Sequence, residues 1–157
     1  MRRIRNITVL LLCVMLALLF VPGRAEASEA REGVYVYDDA ELFSYTERQR
    51  LAEYLEKCGQ KAGIGIYVLT SDNSESGASD QYLEDFYDSG YDSGQIVKDA
   101  VLMHIDMKER YVNIQAYGKA EEKISDDTGE KILDACYEDL GRGNYYSACT
   151  TYADKAK

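Results

Sequence analysis

Two short apolar runs constrain the fold of this 157-residue chain more than any other feature. Ile64–Thr70 (IGIYVLT) and Ala100–Ile105 (AVLMHI) are apolar at nearly every position and too short to be typical helices. Runs of this kind are typical of strands that are covered on both faces, as in parallel sheets with helices on each side. They therefore predict two interior strands of an α/β protein.

The segments around these runs predict the remaining elements. Val34–Tyr37 is extended and apolar, and Tyr111–Tyr117 (YVNIQAY) follows the second run after the four-residue turn Met107–Arg110, as in a hairpin. Helical spacing of apolar residues predicts four helices, near 45–61, near 79–88, from 125 or 127, and from about 144. This order predicts a three-layer α/β sandwich, in which a mixed sheet with a β-hairpin is flanked by helices on both faces.

Capping signals and apolar positions give the helices their ends and inner faces. Ser44 and Glu47 have the spacing of a capping box, Ser125 and Asp127 are both candidate N-caps, and Gly141 is a candidate C-cap. The third predicted helix is expected to bury Ile132, Leu133, Cys136, Tyr137 and Leu140.

A four-residue word occurs twice in succession at residues 87–94, which read YDSGYDSG. Asp88 and Asp92 are four residues apart and no glutamate follows at the offset that an EF-hand loop requires. The word also ends after two copies, whereas repeat architectures need self-similarity over longer periods. We therefore interpret it as a flexible glycine-bearing connector between the second helix and the strand at Ala100.

The first residues have the pattern of a secretory signal. Arg2, Arg3 and Arg5 precede the uncharged run Thr8–Val21, and Ala25-Glu26-Ala27 offers a small-x-small cleavage pattern. The run is shorter than the roughly 18 residues expected of a membrane-spanning helix. We expect a signal peptide at 1–27 and one domain at 28–157, with an uncleaved membrane anchor as the alternative.

The charge of the chain excludes some partners. Its net charge is −10, and loss of residues 1–27, with four arginines and one glutamate, would make it −13. Such a surface repels nucleic acid and anionic lipid. We expect neither as a direct partner, and the composition favours a soluble extracytoplasmic domain.

The cysteines and the histidine are expected to be structural. Cys58, Cys136 and Cys149 fall on the apolar faces of predicted helices without C-x-x-C spacing, so a zinc site is not indicated. Buried thiols are the first interpretation, and a Cys136–Cys149 disulfide is the alternative. His104 lies between Met103 and Ile105 within an apolar strand, as a packed structural histidine would.

Seven segments are distinctive when they are taken together: Val36–Ser44, Thr70–Asp72, Phe86–Ile105, Glu109–Arg110, Tyr117–Ala120, Ile124–Asp126 and Gly143–Ala148. In this order they resemble the TPM-domain family over residues 34–156. The resemblance implies an exported, often membrane-tethered protein, and with it an envelope or membrane protein as the partner. Many TPM-domain proteins continue past their last helix into a transmembrane segment. Residues 151–157 contain no apolar run, so we expect a released or a truncated form.

The resemblance also implies a ligand, because divalent-cation binding and weak acid phosphatase activity are attributed to some TPM-domain proteins. If this carries over, Ca²⁺ or Mg²⁺ is the cofactor and its ligands are Asp88, Asp99 and Asp126, since hard cations take oxygen ligands. Our sheet geometry places Asp99 beside the end of the hairpin, near Asp126. The alternative is that these carboxylates are solvated surface and capping residues. Asp38 and Asp72 form a weaker second candidate at the opposite end of the sheet, and the alternative for Asp38 is that it belongs to the entry turn of the first helix.

The residues alone do not assign an enzyme. The sequence has no G-x-S-x-G, H-E-x-x-H or P-loop motif, and it leaves the catalytic residues unknown and indicates no organic cofactor. Two hypotheses follow. The first is a non-enzymatic interaction module of the cell envelope that also binds a divalent cation, and the second is a cation-dependent acid phosphatase.

Overall fold

The computed structural model of the protein describes residues 35–72 and 79–157. The predicted signal peptide lies outside the described residues. No helix among the described residues is long and apolar enough to cross a membrane.

The sheet has four strands in the order β1-β2-β3-β4. These are β1 (Val36–Asp38), β2 (Gly65–Ser71), β3 (Ala100–Asp106) and β4 (Tyr111–Tyr117). β1 and β3 both lie parallel to β2, and β4 returns antiparallel to β3 with Ala100 opposite Tyr117. Every residue of β2 and β3 is buried, which confirms that the two apolar runs are interior strands.

Five helices of the described residues flank the sheet: α1 (Tyr45–Ala62), α2 (Ser79–Asp92), α3 (Ala120–Lys123), α4 (Asp126–Gly141) and α5 (Tyr145–Ala156). The capping box of α1 forms as predicted, because the Glu47 N–H donates to Ser44 Oγ and the Ser44 N–H donates to Glu47 Oε2. The short helix α3 was not predicted. Gly141 is the last helical residue of α4 and not its C-cap, and Gly143 adopts the left-handed conformation beyond it.

Two apolar cores lie on opposite faces of the sheet, because neighbouring residues of a strand point to opposite sides. Ile66 and Val68 of β2 pack with apolar residues of α1, α4 and α5. Tyr67 and Leu69 pack with Leu83, Phe86 and Tyr87 of α2. The predicted three-layer α/β sandwich is therefore confirmed.

The doubled word is helical for most of its length, so the flexible connector was a wrong interpretation. α2 continues to Asp92, and the N–H groups of Gln95 and Ile96 then donate to the Gly90 carbonyl at 2.8 and 3.0 Å. A Cβ on Gly90 would lie 2.6 Å from Ile96 Cδ1. Gly90 therefore allows the chain after α2 to fold back closely against the helix, a packing role that local spacing does not reveal.

Candidate functional site

Asp38 lies at the carboxyl end of β1, and its carboxylate is occupied by hydrogen bonds within the fold. Its carboxylate accepts hydrogen bonds from the N–H groups of Leu42 and Phe43 at 2.9 and 3.0 Å and from Thr70 Oγ1 at 2.8 Å. Arg48 is 4.0 Å away. Asp38 is buried, whereas Asp72 is exposed. Asp38 thus fixes the turn into α1, as its position in the sequence indicated.

A buried Ser–His pair lies next along the same end of the sheet. Ser71 Oγ and His104 Nε2 are 2.8 Å apart, and the ring of Tyr82 stacks on the imidazole at 4.4 Å between centroids. Burial lowers the pKa of His104, while the negative charge of Asp106 opposes this shift. Both Ser71 and His104 are completely buried, so the pair is placed as a structural element of the core.

Sequence reasoning identified His104 as structural but missed Ser71 as its partner. Ser71 lies opposite Asp106 in the parallel register, two residues beyond the position opposite His104. Alternation along the two strands places the side chains of Ser71 and His104 on the same face. Aligning the two apolar runs as neighbouring parallel strands could have identified the pair from the sequence.

Asp106, the last residue of β3, is also occupied by structure. Its Oδ1 accepts hydrogen bonds from the N–H groups of Lys108 and Glu109 at 2.9 and 3.0 Å, which closes the hairpin turn. Arg110 ends that turn with a φ of 57°, a left-handed conformation for a non-glycine residue. The carboxyl end of the sheet therefore holds buried polar groups with internal partners.

At the amino end of the sheet, Asp99 lies beside the end of the hairpin, as predicted. The other two predicted ligands, Asp88 and Asp126, lie on helices. The hairpin brings Lys119 beside Asp99, and the Lys119 N–H donates to Asp99 Oδ1 at 3.0 Å. Asp88 is exposed on α2, which packs on one face of the sheet. Asp126 is exposed at the start of α4, which packs on the other face.

The helices that carry Asp88 and Asp126 thus pack on opposite faces of the sheet and do not form one shared acidic site. Among residues 35–72 and 79–157, no group of three or more His, Cys, Asp or Glu side chains is arranged as metal ligands. The binding of Ca²⁺ or Mg²⁺ through Asp88, Asp99 and Asp126 therefore stays a prediction, and Asp99 is the member with a defined position.

A stack of three tyrosines borders this end of the sheet. The rings of Tyr87 and Tyr117 are nearly parallel with centroids 3.8 Å apart, and Tyr91 stacks on Tyr87 at 6.0 Å. Tyr87 also donates its hydroxyl to the Lys98 carbonyl at 2.7 Å. Tyr87 and Tyr91 come from the two copies of the doubled word, which explains why its aromatic residues recur at helical spacing.

The three cysteines within the described residues, Cys58, Cys136 and Cys149, are free and buried, as the first interpretation predicted, so the alternative disulfide is not formed. The Cys136 thiol donates to the Ala148 carbonyl at 3.3 Å. Burial raises the pKa of Cys136 to about 11 and raises that of Cys149 as well. Thiols that stay protonated are poor nucleophiles and metal ligands.

A surface groove of about 500 Å³ lies between α4 and the β3–β4 hairpin. Its lining includes Met107, Arg110, Tyr111, Leu133, Tyr137 and Tyr145. Tyr137 is 78% exposed and Tyr111 is 51% exposed. The expectation that Tyr137 belongs to the inner face of its helix was wrong, because the buried stripe of α4 follows Ile132 and Cys136 and leaves Tyr137 beyond its edge. Sequence reasoning missed this groove.

Solved structures share this fold. The BA42 protein of Bizionia argentinensis has a TM-score of 0.62 at 17% identity, with 74% of this chain and 79% of that chain covered. The N-terminal domain of a protein from P. gingivalis has a TM-score of 0.63 at 18% identity, with 81% of this chain and 82% of that chain covered. The N-terminal domain of cg2496 from Corynebacterium glutamicum has a TM-score of 0.62 at 11% identity, with 84% and 82% covered. These similarities show the fold alone.

Sequence comparison identifies the family. The chain is 31% identical to the UPF0603 protein YdjH of Bacillus subtilis (strain 168). The alignment extends over 144 residues and covers 92% of this chain. The chain spans about half the length of that relative, 54%. The family model described as the TPM domain matches residues 36–157, which include every strand and helix of the described structure. The chain belongs to the TPM-domain family.

Proposed function

We propose that this protein is an extracytoplasmic, non-enzymatic interaction module of the cell envelope, and that it binds a segment of an envelope protein in the groove between α4 and the β3–β4 hairpin. The observation that carries the proposal is the exposure of Tyr137 and Tyr111 on the two walls of this groove. Tyrosine, methionine and arginine are the residue types that are enriched where proteins bind proteins.

The composition of the groove defines the partner's chemistry. Leu133, Leu140 and Met107 supply an aliphatic surface, and the tyrosines supply flat rings with hydroxyl groups at their rims. A peptide segment with aliphatic or aromatic side chains would bury this surface and leave the hydroxyl groups free to bond its backbone. We therefore expect an apolar segment of a protein as the occupant.

The buried polar groups favour the interaction role over hydrolysis. Asp38, Asp106 and the Ser71–His104 pair all have internal hydrogen bonds, and His104 lies beneath the ring of Tyr82. A catalytic base must reach the proton that it removes, directly or through one water. In the described structure these groups reach backbone and side-chain partners of the fold.

The experiment places a photo-crosslinking amino acid at position 137 in the protein expressed in cells. Position 45 is the matched control, because Tyr45 is 68% exposed and lies outside the groove. We expect an adduct with one envelope protein at 137 and not at 45. Binding of the purified partner, measured by calorimetry, should then be lost in Tyr137→Ser and kept in Tyr45→Ser. Equal crosslinking at both positions would contradict the proposal.

Hydrolysis of p-nitrophenyl phosphate with Ca²⁺, Mg²⁺ or no added cation tests the alternative. We expect no turnover above the level without protein. Cation-dependent turnover that disappears in Asp99→Asn would reject the non-enzymatic role and favour the phosphatase hypothesis. N-terminal sequencing of the protein recovered outside the cytoplasm tests the location and would show Ser28 as the first residue if the signal is cleaved.

A further inference from the structure

Strand β4 forms one edge of the sheet and lacks the features that usually protect such an edge. Among the described residues only β3 pairs with it, over seven consecutive residues without a bulge. Tyr111–Tyr117 contains no charged residue and no proline, and all its residues are at least partly exposed. Edge strands are normally protected by charges, prolines or bulges, because their free N–H and C=O groups pair readily with another strand.

One hydrogen bond shows which backbone groups face the open edge. The Ile114 N–H donates to the side-chain oxygen of Asn113 at 2.7 Å, so this N–H points away from β3. In an antiparallel ladder the N–H and C=O groups of a residue point to the same side, and successive residues alternate. Val112, Ile114 and Ala116 therefore present their backbone groups outward.

The sequence of β4 is nearly symmetric about Ile114, since it reads Tyr-Val-Asn-Ile-Gln-Ala-Tyr. A two-fold axis at Ile114 would set Asn113 against the partner's Gln115 and Val112 against the partner's Ala116. Tyr111 would then meet the partner's Tyr117. Each pair joins side chains of one chemical class: two amides, two aliphatic groups and two aromatic rings. Such cross-strand pairs are the units that stabilise a sheet.

The charges that flank the strand are opposite in sign at its two ends. Glu109 lies in the turn before β4 and Lys119 follows Gly118 after it, so the two-fold axis would set the turn that carries Glu109 near the partner's Lys119, at two symmetric positions. Both residues are exposed and lie outside the strand. Copies of a chain with a net charge of −10 repel one another overall, so opposite charges at the contact favour this alignment over others.

We propose that β4 pairs antiparallel with β4 of a second copy, which joins the two sheets into one across an isologous interface. The outward backbone groups of Val112, Ile114 and Ala116 then hydrogen-bond with those of the partner's strand, and the Ile114 N–H exchanges its bond to Asn113 Oδ1 for one to the partner. The occupant of the edge is thus a second copy of this chain. Tyr111 lies in β4 and also lines the groove, so the two contacts share this residue, whereas Tyr137 lies on α4 over the face of the sheet.

Charge exchange tests this dimer by sedimentation equilibrium of the intact protein over a range of concentrations. Glu109→Lys and Lys119→Glu should each weaken self-association at least about tenfold, because each places like charges opposite one another at two symmetric positions. An equimolar mixture of the two variants should restore association as a heterodimer, since every pair is then opposite in sign. Unchanged melting temperatures are the control for folding.

Hydrogen exchange gives a second readout that does not depend on the variants. The amides of Val112, Ile114 and Ala116 should become slower to exchange as the protein concentration rises, whereas those of Asn113 and Gln115 already bond β3 and should not change. A monomer at every concentration would overturn the proposal, as would a dimer that ignores the charge exchange. Concentration-independent protection of the three outward amides would also overturn it, because another segment of the same chain would then cover the edge.

Discussion

The two ends of the sheet use the same types of residue in opposite ways. At the carboxyl end, Asp38, His104 and Asp106 are buried, and each has hydrogen-bond partners within the fold. At the amino end, Asp88 is exposed and Asp99 makes a bond to the Lys119 N–H at the surface. Both ends are acidic in the sequence, but Asp38 and Asp106 at the carboxyl end are buried, whereas Asp88 at the amino end is exposed.

This difference shows that an acidic residue at the end of a strand is not by itself evidence of a site. A buried carboxylate must be matched by donors, so its presence indicates that the local backbone depends on it. An exposed carboxylate costs little to keep and can be lost without harm to the fold. The four predictions below test this contrast.

Asp38→Ala should have the largest effect. It removes the acceptor for the N–H groups of Leu42 and Phe43 and for the Thr70 hydroxyl, and it leaves buried donors without a partner. We expect a loss of about 3 kcal/mol in the free energy of unfolding, measured with urea. The matched control is Asp39→Ala, an exposed neighbour that should cost less than about 0.5 kcal/mol. Equal losses would remove the distinction between buried and exposed acids.

Gly118→Ala tests how tightly the amino end is built. Gly118 has a φ of 61°, and a Cβ there would lie 2.5 Å from Asp99 Oδ1 and 2.9 Å from the Lys98 carbonyl oxygen. We expect a loss of about 2 kcal/mol in the free energy of unfolding, measured with urea. The loss comes from the left-handed backbone and from the contacts of the added Cβ together. Gly141→Ala is the control, because nothing lies within 4 Å of its Cβ and it ends a helix. A loss in Gly141→Ala as large as that in Gly118→Ala would contradict this explanation.

The single histidine gives the carboxyl end a pH dependence. Burial lowers the pKa of His104 in the folded state, so below its ordinary value of about 6.5 the unfolded chain binds a proton that the folded chain does not. Stability should therefore fall as the pH drops from about 7.5 to 5.5, by at most about 1.4 kcal/mol per pH unit. Urea unfolding at both pH values measures this change.

The same comparison in His104→Gln is the control for this prediction. The substitution removes the titrating group, so the pH dependence in this range should largely disappear even though the variant is less stable. A wild-type protein that is equally stable at both pH values would show that His104 titrates normally.

Asp99→Asn should have the smallest effect on folding, less than about 0.5 kcal/mol, because the amide oxygen can still accept the Lys119 N–H. Thermal unfolding with and without millimolar Ca²⁺ or Mg²⁺ sharpens the comparison. A ligand that binds only the folded state raises the melting temperature. A rise that is lost in Asp99→Asn would assign the predicted cation to this end of the sheet, and destabilisation comparable to Asp38→Ala would contradict the contrast between the ends.

The interior strands and the hairpin were predictable because burial on both faces leaves a local signature. The runs at Ile64 and Ala100 are apolar at nearly every position, and the hairpin turn after Asp106 lies between two such segments. Tyr137 and Gly90 were interpreted wrongly for a common reason. Whether a residue at the edge of an amphipathic stripe is buried depends on what packs beside it, and the spacing along one helix does not contain that information.

The sequence by itself determined the fold class, the family, the inner positions of most elements and the structural character of His104 and the cysteines. Only the tertiary structure decided which of the acids meet, where the groove lies and that β4 is left at an edge. The physical reason is that helical and strand periodicity are properties of neighbouring residues, whereas proximity across a sheet depends on register and on the face to which each helix packs. Asp88 and Asp126 show this, because the helices that carry them pack on opposite faces of one sheet.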